Sequence, residues 1–166
     1  MLIQIGIVLL FILNLALLWG DILPAYRKTG KYLLILLPLV SVIFPQPHFG
    51  LDYFWWYPVG VGTIIAGLVL FRWTIKQEAP DFGIMPDKLI ASGPYNYLRH
   101  PLYLSLIFIF VGWWWVWAAA YSFYFGMIIV AMIWVQGYLE EKFVLEKKFG
   151  SEFKSYLEKT GMFWLK

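Results

Sequence analysis

From Leu102 to Leu139 the chain runs without a single charged residue. As one continuous helix this run would extend roughly 55 Å at 1.5 Å per residue, nearly twice the ~30 Å of a bilayer's hydrocarbon core. It must therefore fold back on itself, which predicts a helical hairpin over 101–139. The turn is expected between Trp113 and Ser122, with Trp113, Trp114, Trp115 and Trp117 at a membrane–water interface.

A water-soluble fold cannot accommodate such a run here. Hydrophobic residues make up 61% of the 166-residue chain and charged residues 14%, against about 25% charged in an average soluble protein. A globule this small keeps too much surface in water to hide that much apolar area, whereas a bilayer takes the place of the missing core. Three further apolar segments precede the hairpin: about Leu2–Trp19, Tyr32–Phe44 with Pro38 inside it, and Tyr53–Ile75. In the last of these, Gly60, Gly62 and Gly67 are expected to allow close helix contact. The apolar start lacks a basic leader and a small-residue cleavage site, and reads as a retained first helix. The expected fold is all-α: a polytopic membrane protein of five transmembrane helices with a C-terminal hairpin. It forms one domain, with three N-terminal spans over 1–75 and a second half over 76–166.

Charge orients the five spans. They place the N-terminus, the 45–52 loop and the 113–122 turn on one side, and the 20–31 loop, the 76–100 loop and the tail after Glu140 on the other. All thirteen Lys and Arg residues, from Arg27 to Lys166, fall on or beside the second side. By the positive-inside rule the N-terminus is outside and the tail cytoplasmic. Beyond Leu139 the apolar residues Phe143, Phe149, Phe153 and Leu157 alternate with Lys and Glu, predicting an amphipathic interfacial helix that Gly150 breaks or bends.

Several function classes drop out. The net charge of +3 is not interleaved with stacking aromatics, so nucleic acid is not an expected partner, and the basic residues suit a lipid bilayer instead. The absence of Cys excludes disulfides and thiol chemistry, and no His, Asp or Glu cluster has metal-ligand spacing.

Polar residues at the ends of spans carry the functional signal. They concentrate in Asp87–Tyr103 and at Glu140–Glu141, both on the expected cytoplasmic side. Pro101 suits the first turn of a helix, where its missing N–H costs nothing. Arg99 and His100 then sit at a helix N-terminus that favours anions, with Tyr103 one turn in. Two plainer roles stand beside a catalytic one. Arg99 binds lipid phosphate while His100 caps the helix, and the glutamates form a solvated acidic start to a basic helix.

The string Ser92-Gly93-Pro94-Tyr95-x-Tyr97-x-Arg99-His100-Pro101-x-Tyr103 is followed by the hairpin, the Glu140–Glu141 pair and Phe149-Gly150-x-x-Phe153-x-x-Tyr156. Over about residues 86–160 this resembles the isoprenylcysteine carboxyl methyltransferase family, whose superfamily also holds phospholipid and small-thiol methylating relatives. The resemblance implies a membrane methyltransferase whose C-terminal half binds S-adenosylmethionine. It implies that Lys88, Leu89 and Ile90 lie along the cofactor, with Tyr95, His100, Pro101, Leu102 and Tyr103 contacting it. Asp87 stands where relatives often have His. Counted back from Phe149–Gly150, Glu141 falls on the family's cofactor-binding Glu and Glu140 one position early. Either the usual Glu-Glu pair reads Glu141-Lys142, or a residue has been inserted; both Glu140 and Glu141 are therefore cofactor-binding candidates. Arg99, His100 and the helix N-terminus would serve the cofactor's carboxylate, and Glu141 its ammonium or ribose hydroxyls, which makes Arg99, His100 and Glu141 the expected catalytic set.

One departure bears on the substrate. Relatives that methylate a prenylcysteine carboxylate carry an Arg one turn before the cofactor-binding Glu, where this chain has Gly137. A carboxylate without a partner is costly in a low-dielectric site, so a lipophilic or small neutral acceptor is expected: a phospholipid amine, a thiol, or a group presented like a prenylcysteine. Two other readings are a non-catalytic lipid-binding or partner module and a relative of the membrane sterol reductases, which share an Arg-His-Pro motif but are much longer and bind a nicotinamide cofactor.

Overall fold

A computed structural model of the chain describes residues 35–49, 54–77, 88–164 and 166, together with Ile5, Gly6, Leu9 and Ile12. Most of the first expected span and the loop carrying Arg27, Lys28 and Lys31 lie outside the described residues, as does Asp87. Residues 35–40 are helical and pass into a 3-10 turn, Ser41–Ile43. Then follow α1 (Trp56–Ile75), a 3-10 turn (Gly93–Asn96), α2 (Pro101–Val116) and α3 (Ala120–Glu140). A single π turn (Glu141–Leu145) joins α3 to α4 (Glu146–Lys159). Among the described residues there are no strands, only isolated bridges pairing His48 with Ala119 and Leu98 with Gly161.

Two helices among the described residues are long and apolar enough to cross a membrane, α1 and the one that begins at Ala120. The 16 residues of α2 are apolar but span only about 24 Å. Large apolar side chains lie bare on these helices, among them Val59, Ile65 and Val69 of α1 and Ile128 and Trp134 of α3. Such an outer surface suits lipid and not water.

The uncharged run folds back as expected. It turns at Trp117–Ala119, with Ala118 in the left-handed region at φ 50°. The 45–49 loop is stitched to this turn: Phe49 N–H donates to the Ala118 carbonyl at 2.9 Å and Ala120 N–H to Pro47 at 3.0 Å. The Gln46 side chain bonds both the N–H and the hydroxyl of Ser122.

Packing between α1 and α2 corrects one expectation. A Cβ on Gly60 would lie 3.2 Å from the Gly112 carbonyl oxygen, and one on Gly67 2.9 Å from that of Ser105. Gly112 itself, with Gly60 O at 2.8 Å from its ideal Cβ, is the third contact. Gly62, expected to join them, faces open space, because a two-residue step along a helix turns it to the far side from Gly60.

The tryptophans supply a second correction. Trp117 is half exposed, but Trp114 is wholly buried in a core with Phe110, Ile129 and Ile133. Gly126 makes the slot, since a Cβ there would sit 2.1 Å from the Trp114 ring. The indole N–H groups of Trp113 and Trp114 donate to the Leu39 and Pro38 carbonyls, both at 2.9 Å. Those carbonyls belong to the last turn of the 35–40 helix, where backbone donors run out, and Pro38 O also accepts from the Ser41 hydroxyl at 2.6 Å. Buried indoles are tolerated here because each N–H finds an acceptor.

Candidate functional site

Pro101 occupies the first position of α2, and the backbone turns into the helix at His100 (φ −125°, ψ 58°). This brings Arg99 and His100 to the end of the hairpin opposite its turn, where α3 also finishes. Glu141 is buried there, 8% exposed, and its Oε1 accepts from Arg99 Nε at 2.7 Å and from His100 Nε2 at 3.0 Å. Glu140 turns to the next helical position: the Tyr103 hydroxyl donates to its Oε2 at 2.9 Å, and His100 Nδ1 lies 3.9 Å from the same oxygen. The Tyr103 and His100 rings stack, 9° from parallel with centroids 5.3 Å apart. Two acids thus face a helix N-terminus carrying Arg and His, the polarity the helix dipole favours.

The π turn that follows Glu141 explains how two consecutive glutamates reach this place. Glu146 N–H donates to the Glu141 carbonyl, five residues back, a bond that absorbs one residue more than α-helical spacing and recurs at functional sites. The turn lies between Glu141 and Phe149–Gly150, the stretch over which the sequence count leaves two registers open.

The electrostatics follow from this geometry. The uncharged part of α3 ends at Leu139, so Glu141 lies past the apolar span. Burial by itself would raise its carboxyl, but the hydrogen bonds from His100 and Arg99 outweigh that and hold it below its ordinary 4.5. In α4, burial pushes the Tyr156 phenol up to about 12. Its hydroxyl donates to the Tyr95 carbonyl at 2.6 Å, tying α4 to the 3-10 turn before α2.

Sequence reasoning missed the segment after α4. Gly150 bends α4 as expected (φ 52°, ψ −119°), and the buried face is Phe153, Tyr156 and Thr160, while Phe143 stays 59% exposed. Beyond Lys159 the chain turns back across the site. Arg99 N–H donates to Gly161 O at 2.9 Å, His100 N–H to Met162 O at 3.3 Å, and the Arg99 guanidinium to Thr160 O. Met162 is buried against Gly137, and the Phe163 ring lies 5.9 Å from that of His100. The one available signal was Thr160–Gly161, a helix stop followed by a turn residue.

The expected site residues divide. Arg99, His100, Tyr103, Glu140 and Glu141 form one connected cluster, with Pro101 fully buried beneath it and Leu102 half-buried. Tyr95 touches the cluster's surroundings through its carbonyl. Lys88 is exposed and Leu89 and Ile90 are half-buried in a non-helical lead-in before Ser92, with no hydrogen bond to the cluster. Arg99 is committed to Glu141 and Thr160, so it holds the site's own carboxylate.

A model of a family described as phospholipid methyltransferase matches residues 55–152, more than half of the chain, including α1, α2, α3 and the whole Arg99–Glu141 cluster. No curated protein and no solved structure matches the chain.

Proposed function

The chain belongs to the phospholipid methyltransferase family of membrane methyltransferases, and from that premise we propose that it methylates a lipophilic or small neutral acceptor at the membrane surface, using S-adenosylmethionine. The observation that carries this reading is the cluster of Glu140, Glu141, Tyr103, His100 and Arg99 at the N-terminus of α2. The isoprenylcysteine carboxyl methyltransferase branch is the part of the family whose motifs residues 86–160 resemble.

The donor set fits such a cofactor. Glu140 is 28% exposed, and among the described residues only its Oε2 has a hydrogen bond, leaving Oε1 to accept from an ammonium or a ribose hydroxyl. The first N–H groups of α2, which no helical carbonyl can reach, suit a carboxylate. By the family resemblance Lys88–Ile90 and Tyr95 would lie along the cofactor. When bound, the cofactor supplies an electrophilic methyl group on a sulfonium. Arg99 and His100 fix Glu141, Tyr103 orients Glu140, and the burial of Glu141 and His100 keeps water away. Transfer to a nucleophilic acceptor asks for orientation more than for a strong base.

The acceptor follows from charge. Arg99 is paired, the atoms nearest a Cβ on Gly137 among the described residues belong to Met162 and His100, and a carboxylate acceptor would meet Glu140 unpaired. The site faces the cytoplasm and the N-terminus lies outside in this reading, on the partition of thirteen basic residues.

Calorimetry with S-adenosylhomocysteine tests the proposal. The wild type binds, and Glu140→Ala and His100→Ala each weaken binding about tenfold, the scale of one hydrogen bond to a charged group. Binding of NADPH in its place would point to the reductase relatives, and binding of neither to a non-catalytic module.

A further inference from the structure

The segment Thr160–Phe163 lies past the residues that the family match covers, 55–152, yet it supplies a side of the site. Its backbone pairs with Leu98 through Gly161 and accepts from the Arg99 and His100 N–H groups. The reversal that aims it inward requires Gly161, because a Cβ there would lie 1.7 Å from the Trp164 carbonyl oxygen. Met162 is then seated on α3. Its Cε is 2.8 Å from where a Gly137 Cβ would be, and that same point is 3.5 Å from His100 Cδ2.

From this arrangement we infer that the strap Thr160–Phe163 is the third wall of the site, and that Gly137 and Met162 form a matched pair that sets which acceptors enter. This inference rests on the methyltransferase reading. The absent side chain at 137 leaves room that the Met162 thioether fills, so the wall beside the His100 ring is apolar. The carboxylates stand at the ring's nitrogens, with Glu141 at Nε2 and Glu140 beyond Nδ1. The nearest guanidinium is bound to Glu141 and to the strap's own Thr160 carbonyl. A neutral thiol or amine approaching this wall loses no ion pair. A carboxylate finds only a thioether, a ring and two acids. Met162 is thus a specificity residue contributed by the tail.

The pair is tested by changing the polarity of the wall. Wild type, Met162→Lys, Met162→Gln and Met162→Leu are compared for S-adenosylhomocysteine affinity and for kcat/KM with a small alkyl thiol, dimethyl-phosphatidylethanolamine and a farnesylcysteine analogue. In Met162→Lys the ratio of farnesylcysteine to thiol turnover rises about tenfold, the order of one charge-assisted hydrogen bond. Met162→Gln, nearly isosteric, raises it by less, Met162→Leu keeps the wild-type ratio, and S-adenosylhomocysteine affinity changes less than about threefold in all. Should Met162→Lys fail to fold, the Gln and Leu pair carries the same comparison. An unchanged ratio in variants that bind S-adenosylhomocysteine overturns the matched pair alone. Loss of S-adenosylhomocysteine binding in the wild type overturns the methyltransferase reading and this inference together.

Discussion

Arg99 and Glu141, 42 residues apart in the chain, meet at 2.7 Å with their side chains 13% and 10% exposed. Each is held by a neighbour as well, Glu141 by His100 and Arg99 by the Thr160 carbonyl. The pair joins the start of α2 to the end of α3 and, through Thr160, to the chain beyond α4. The structural centre of the site is therefore an ion pair that closes the open end of the hairpin.

Acid destabilises the protein through this pair. Glu141 is held below its ordinary 4.5 in the folded state, so its contribution is present above about that pH and is lost as pH falls through the lowered value. Thermal unfolding in micelles between pH 7 and 3 shows a progressive loss in the wild type. Glu141→Gln, which leaves Arg99 without its carboxylate, is less stable at pH 7 by about 3 kcal/mol, and its deficit shrinks with acid. Equal pH slopes for the two proteins would place the acid sensitivity elsewhere.

The core turns on Gly126. Adding one methyl there drives it into the buried Trp114 ring, 2.1 Å away. Gly126→Ala is expected to cost about 1–3 kcal/mol through overpacking. Gly62→Ala, at a site with nothing within 4 Å, is neutral or stabilising by up to about 1 kcal/mol, since Ala is the better helix former. Melting temperatures of the two variants in the same detergent make the comparison.

Tyr156 makes an alkaline counterpart. Its folded pKa of about 12 stands above the ordinary 10.0, so the neutral phenol is favoured in the folded state. The stability it gives is complete below about pH 10 and is lost as pH rises toward 12. Tyr156→Phe removes the bonds to the Tyr95 and Leu98 carbonyls, and costs about 1 kcal/mol at neutral pH. The difference between wild type and variant narrows above pH 10, read by unfolding at pH 8 to 12.

The proposed orientation is open to labelling, because the chain has no Cys. Ala118 is only 2% exposed and makes a poor probe, whereas Trp117 in the same turn is 50% exposed. A cysteine at Trp117 reacts with an impermeant maleimide added outside intact cells, and one at Lys142 reacts only after permeabilisation. The reverse pattern would invert the topology.

What was legible in the sequence was whatever length and polarity set along the chain. An uncharged run about twice as long as a bilayer is thick has to double back, and Pro101 starts a helix because its ring and missing N–H suit that position and no later one. Arg99, His100 and the two glutamates shared an end of the hairpin for the same reason: they flank the two ends of the run. Only the tertiary structure decided that Gly60 and Gly67 but not Gly62 meet α2, with Gly112 opposite them, that Trp114 turns inward onto Gly126, and that Met162 returns to Gly137. In water the polar side of a helix shows which face is outside. In a bilayer lipid is as apolar as a core, and α2, uncharged on every side, carries no such mark. Its inward face is chosen by shape, by where a missing Cβ lets a backbone or an indole come close, and shape is a property of the assembled helices.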